Sequence, residues 1–176
     1  LRDVLGLVST MSEAEKLLNN NEVLVDGKRR KDRKTVVGLF DIVSIPLLSK
    51  NFQVSLNQNG RLNLIEVSED VSKEKVAKVI GKTAVSGSKI QLNLYDGKNI
   101  LTDKNVKVGD SVCLSLPDFK IKKVLPLKEG SEIFLIKGKQ IGSKGKLKSL
   151  VGNVAMYVSE DGADVETVKK NLYVLN

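Results

Sequence analysis

The chain contains no histidine, no tryptophan and a single cysteine, Cys113. Without histidine, zinc fingers, most transition-metal sites and catalysis by His or a Cys–His pair are excluded. One cysteine permits no internal disulfide, as suits a reducing cytosol. Cys113 alternates with Val112 and Leu114 and reads as a small strand residue rather than a reactive thiol. Aromatic residues are only 4 % of the chain, which argues against the base-stacking platforms that grip unstructured single strands. No apolar run approaches the length of a membrane span, and no signal-peptide pattern is present. The acidic pairs Glu13 with Glu15 and Glu69 with Asp70 fit ordinary helix and loop solvation. No nucleophile is paired with a base and no metal set is visible, so the sequence predicts neither an enzyme nor a cofactor.

What remains is basic. The 176 residues carry 29 Lys and Arg against 21 Asp and Glu, a net charge of +8. The excess is uneven: residues 118–149 hold nine basic and three acidic groups, while residues 150–176 hold two and four. A second focus is Lys28-Arg29-Arg30-Lys31-Asp32-Arg33-Lys34, where six of seven residues are cationic. Such a run repels itself unless it is solvated or meets a polyanion. Set between structured elements, it reads as a phosphate-binding surface rather than a tail. The remaining basic segment, Lys137 to Lys146, interleaves Gly138, Gly142 and Gly145 with lysines. A phosphate loop of the Walker type needs Gly-Lys-Ser/Thr opening a helix. Here Gly145-Lys146 runs into Leu147 and a strand pattern, so nucleotide hydrolysis is excluded. A loop whose glycines turn sharply and whose lysines neutralise a nucleic-acid backbone fits better.

Along the chain, residues 1–46 read as helix, helix, strand, strand. Leu1, Val4, Leu5 and Val8 recur at helical spacing. Ser12 to Glu15 reads as a capping box, followed by the apolar stripe Ala14, Leu17 and Leu18 and a stop at Asn19-Asn20-Asn21. Val23-Leu24-Val25, the turn Asp26-Gly27 and Ile42 to Ile45 complete the unit. Residues 47–126 read as all-β, with hairpin signals at Asn59-Gly60 (as a type I′ turn) and Asp96-Gly97. Segment 72–80 is ambiguous and reads as a strand over its second half. Residues 127–176 read as four or five strands of an SH3-like barrel, with a turn at Glu160-Asp161-Gly162. The class is α+β, mostly β, in three modules: 1–46, 47–126 and 127–176.

Four long words then match a known family: Leu1 to Leu7, Glu22 to Gly27, Gly87 to Asn99 and Val108 to Val112. On these the chain resembles the archaeal and eukaryotic small-subunit ribosomal protein family S4e along nearly its whole length. The resemblance implies an S4-type RNA-binding module, a central β-barrel or sandwich and a C-terminal KOW module of SH3-like form. It implies rRNA contacts from Arg2, Ser12 and Lys16 on the helices and from Lys28, Arg29, Arg30, Lys31, Arg33 and Lys34. It implies further contacts from the glycine–lysine segment, at Lys137, Lys139, Gln140, Lys144, Lys146 and Lys148. The expected protein is a non-catalytic constituent of the small subunit in the cytoplasm. Its partners would be rRNA and neighbouring ribosomal proteins, with no membrane, and it would be a monomer off the ribosome. The family's basic N-terminal extension is not in this sequence, which starts inside a helical pattern and reads as a piece of a longer protein. Its compact ending is more like that of archaeal members. Two other readings fit less well. An RNA-modifying enzyme or synthetase fragment would need a catalytic or nucleotide site. A KOW-bearing factor that binds a protein through its barrel would need an exposed apolar patch with no basic face.

Overall fold

The computed structural model describes residues 4–20, 23–85, 87 and 89–175. The chain forms two compact units. The first comprises Leu1–Ser55, Leu62–Lys75 and Ser115–Lys120; the second comprises Leu56–Arg61, Val76–Leu114 and Ile121–Asn176.

In the first unit one helix, α1 (Met11–Asn20), carries Ala14, Leu17 and Leu18 on one face at helical spacing. Its cap lies two residues earlier than the sequence suggests. The Thr10 hydroxyl accepts from the Glu13 amide (3.2 Å). The Glu13 carboxylate accepts in return from the amides of Thr10 (3.2 Å) and Ser9 (2.8 Å). The Ser9 amide, then that of Thr10, holds the Glu13 carboxyl below the usual carboxylate range. The helix expected over residues 1–8 is replaced by turns and bends from Val4 onward. Gly6, at φ +61°, breaks the helical backbone, and Leu5 and Leu7 reach the core from an irregular segment. Leu1, Arg2 and Asp3 lie outside the described residues.

Strands β1 (Leu24–Val25), β2 (Lys28–Arg29), β3 (Ile42–Ile45), β4 (Lys50–Leu56) and β5 (Leu62–Val67) form an antiparallel sheet in the order β2-β1-β3-β4-β5. Its core joins Leu18 of the helix to Val23, Val43, Ile45, Phe52 and Val54. Asp26 and Gly27, both at positive φ, make the tight turn between β1 and β2. The β4–β5 turn is at the expected place but differs in type. Gly60 alone of the Asn59-Gly60 pair has positive φ. Its amide donates to the Asn57 carbonyl (2.9 Å), while the Asn57 side chain takes the amides of Asn59 and Arg61. That side-chain capture favours a right-handed turn closed by one glycine over type I′.

In the second unit, β6 (Glu74–Val85, entering at Val76), β7 (Lys89–Leu94), β8 (Asn99–Thr102), β9 (Ser111–Ser115) and β10 (Ile121–Leu125) form an antiparallel sheet ordered β10-β9-β6-β7-β8. The ambiguous segment thus resolves as strand. It follows a single helical turn, α2 (Glu69–Ser72), which belongs to the first unit. Val79, Leu92, Leu94, Val112 and Leu114 are fully buried at alternate positions. A third antiparallel sheet contains β11 (Glu132–Leu135), β12 (Lys144–Val151), β13 (Val154–Ser159), β14 (Asp164–Val168) and β15 (Leu172–Val174), ordered β14-β13-β12-β11-β15. Its core is Ile133, Leu135, Leu147, Ala155, Tyr157 and Leu172. The mostly β class holds. Among the described residues no helix is long and apolar enough to cross a membrane.

Candidate nucleic-acid interface

The turn that presents the first basic run is fixed from beneath. Lys75 is 1 % exposed, and its ammonium is paired with the buried carboxylates of Asp26 (2.9 Å) and Asp41. Asp26 also accepts from the Ile42 amide (3.0 Å), and Asp41 from the Gly38 amide (2.7 Å). These charge-assisted bonds clamp both ends of the loop that carries the run. A side chain on Gly27 would bring its Cβ to 2.9 Å from the Pro117 ring.

Above this clamp every residue from Lys28 to Lys34 is exposed, and only Lys28 and Arg29 are strand. Lys28 lies over the Phe119 ring at 5.2 Å. Arg29 donates to the Asn19 carbonyl at the end of α1 (3.2 Å), and Arg33 pairs with Glu15 of the same helix (2.9 Å). An Asp32 side chain accepting from the Lys34 amide (2.8 Å) folds the tip back. Arg30, Lys31, Lys34 and Lys16 form no ion pair among the described residues. The structure therefore brings helix α1 and the run onto one scaffold. Exposed Lys16 stands on the helix, and exposed Ser12 lies in its first turn without the capping role expected of it. Arg2 lies outside the described residues.

In the second unit the glycine–lysine segment divides in two. Lys137, Lys139 and Gln140 occupy an exposed loop, whereas Lys144, Lys146 and Lys148 stand on β12. Gln140 fastens the loop: its carbonyl oxygen Oε1 accepts from the Tyr157 hydroxyl (2.9 Å), and its backbone carbonyl from Ser143 (2.7 Å). Gly142 and Gly145 have no space for a side chain. A Cβ would meet the Asn57 carbonyl oxygen at 2.5 Å and the Val158 carbonyl oxygen at 2.3 Å respectively. The tip of the β4–β5 hairpin, with Arg61 exposed on it, thus lies against the loop. The lysines of β12 have acidic neighbours: Lys148 pairs with Asp164 (2.5 Å), and Lys146 is opposite Glu132.

Sequence reasoning did not single out Lys75, Arg61 or a buried lysine, Lys78. Lys75 and Lys78 are both on β6, where lysine inside an alternating strand was the available signal. Lys78 donates its ammonium to the carbonyls of Lys170 (2.7 Å) and Leu172 (2.6 Å). Burial, then the nearby Lys169, pushes its pKa down to about 8.

The comparisons with known proteins agree with this architecture. Residues 4–43 match the S4 domain model and residues 48–121 match the model of ribosomal family S4e. The chain is 40 % identical to small ribosomal subunit protein eS4 of Methanosphaera stadtmanae, over 93 % of this chain and 70 % of that protein. It is 36 % identical to small ribosomal subunit protein eS4 of Methanocella arvoryzae, over 99 % and 76 %. Its fold is similar to the crystal structure of 30S ribosomal protein S4e from Thermoplasma acidophilum. The TM-score is 0.85 at 29 % identity, covering 99 % of this chain and 91 % of that one. With relatives this similar over most of their length, the chain belongs to the ribosomal family S4e.

Proposed function

We propose that this protein is a structural constituent of the small ribosomal subunit that binds rRNA through phosphate contacts and has no catalytic role. The observation that carries the reading is the run of residues 28–34. Its cations are exposed, anchored on a buried clamp and, among the described residues, left largely without internal ion pairs, so they are available to an external polyanion. Lys16, Ser12 and the six cations of the run form the first contact surface. Lys137, Lys139, Lys144, Lys146 and Lys148, with Gln140 holding the loop in place, form the second. The first surface stands on α1, β2 and the tip that follows it in the first unit, and the second on β12 and the loop before it in the second unit. The protein works in the cytoplasm, beside neighbouring ribosomal proteins, and is a monomer when free.

A protein-binding barrel is the one competing use with an observation behind it. Val151, Val154, Met156 and Val168 are exposed on neighbouring strands of the third sheet. That sheet also bears the lysines of β12, so the patch fits a neighbouring ribosomal protein beside RNA better than it fits a separate role.

The test is binding to purified small-subunit rRNA over a salt series, with an unrelated folded RNA as competitor. Exchanging Arg30, Lys31 and Lys34 for glutamine spares every internal partner described above. The slope of log affinity against log salt should fall by about 2–3. An unchanged slope in a folded variant would remove the first surface from the proposal.

A further inference from the structure

Within the second unit a cleft of about 600 Å³ opens beside β6, β7 and the turn Lys169–Asn171. Four lysines line it: Lys78, Lys137, Lys169 and Lys170. Its lining contains no carboxylate. The two acids next in sequence to lining residues, Asp96 and Asp110, are engaged elsewhere: Asp96 pairs with Lys98 (2.9 Å), and buried Asp110 accepts the backbone amides of Lys107 (2.9 Å) and Leu127 (2.9 Å). None of the four lysines forms an ion pair among the described residues. Lys78 is 4 % exposed and meets only carbonyl dipoles at the floor. Lys169 runs its stem across Gly109, where a side chain's Cβ would come to 3.2 Å from the Lys169 Cε. A concentration of positive charge around a desolvated ammonium is unfavourable in the free protein, and an anion entering the cleft relieves it.

The cleft is not uniformly polar. Tyr95, Ile80 and Val108 also line it, and they are 41 %, 52 % and 49 % exposed. The Tyr95 ring meets Tyr173 at 86°, with centroids 6.4 Å apart, and this edge contact braces it. Tyr173 is itself pinned: its hydroxyl donates to the Val76 carbonyl (3.0 Å) and accepts from the Lys78 amide (2.9 Å). A braced, part-exposed ring among aliphatic side chains, with ammonium groups around it, suits a group that is flat and apolar at one end and anionic at the other. The volume lies in the range of small-ligand sites.

We infer that this cleft seats one unpaired nucleotide of the bound RNA, its phosphate against Lys169 and Lys170 and its base against Tyr95. The inference rests on the RNA-binding reading above but uses residues outside both contact surfaces except Lys137. Base stacking on an aromatic ring is sequence-tolerant, so the site fixes a flipped-out or single-stranded position rather than a sequence.

The experiment measures rRNA affinity for Tyr95→Leu, Tyr95→Phe and the double exchange Lys169→Gln, Lys170→Gln. It is accompanied by NMR of the intact wild-type chain titrated with a short single-stranded oligoribonucleotide. Tyr95→Leu should weaken rRNA binding about tenfold, with Tyr95→Phe restoring it. The lysine exchange should lower the salt slope by about 1–2. Tyr95 ring signals should shift with the oligonucleotide. The inference is overturned if the cleft variants bind as wild type while the Arg30, Lys31, Lys34 exchange still weakens binding. It is overturned equally if the ring signals move only with an acidic peptide. Full affinity in every variant, including that exchange, would instead remove the RNA-binding reading itself.

Discussion

In the run of residues 28–34 only two cations belong to a strand and the rest ride on an irregular tip. In the segment 137–148 three of the five lysines stand on one regular strand, β12. The first group is held by a buried ion cluster below it. The second is held by steric fit, with glycines pressed against carbonyl oxygens and a glutamine–tyrosine bond across the loop. The acids are also placed differently. Two cations of the run are tied to helix α1, one through Glu15 and one through a carbonyl, while β12 faces acids across its strands. A dense cluster of like charge thus needs a strong anchor outside the cluster, whereas spaced lysines are carried by the sheet itself.

The comparison breaks most severely at the anchor. Lys75→Met leaves Asp26 and Asp41 buried without that cation and should cost about 3–5 kcal/mol, read from urea unfolding. Gly142→Ala attacks the second scaffold through both its φ of +81° and the 2.5 Å approach to a carbonyl oxygen. It should cost about 1–3 kcal/mol and loosen the loop, seen as faster amide exchange over residues 137–143.

A pH series separates Lys78 from both scaffolds. Because its pKa is lowered to about 8 from 10.5, the folded state binds fewer protons than the unfolded state between those values. Stability from this site is therefore withheld below about pH 8 and rises as pH climbs toward 10.5. Relative to Lys78→Met, the wild type should gain on the order of 1–3 kcal/mol across that window in parallel urea titrations. The smallest effect belongs to the exposed pair Lys148 and Asp164. Breaking it with Asp164→Asn should change stability by less than about 1 kcal/mol, and less still in high salt.

Strand alternation made most of the fold legible. Ile42 to Ile45, Ile90 to Leu94 and Ile133 to Leu135 show period-2 or wholly apolar patterns that only a buried strand satisfies. The misread elements turn on local competition. Thr10 and Ser12 each have a glutamate three residues on, and Thr10 takes the cap, with Glu13 accepting the amides of both Thr10 and Ser9 while Glu15 is drawn to Arg33. Gly6 defeats the helical spacing around it, and Asn57 takes amides that a type I′ turn would have arranged otherwise. The basic surfaces were visible as charge density. The cleft was not, and Lys75 and Lys78 showed only as lysines inside a strand pattern, which does not say which distant acids or carbonyls they turn inward to meet. Scarce aromatics argued against stacking platforms as a class. They are silent about one tyrosine placed by the fold.

The membership of the first unit has a consequence for synthesis. Its clamp needs Lys75, and its cover beneath Gly27 needs Pro117, yet the second unit's residues Val76–Leu114 intervene. A nascent chain that has released only its first seventy residues lacks the cation that neutralises Asp26 and Asp41. The run of residues 28–34 leaves the ribosome before Lys75 and Pro117 but acquires its fixed shape only after about residue 120 has emerged. The unit that holds the run therefore closes late, waiting on residues that emerge after much of the second unit has been made.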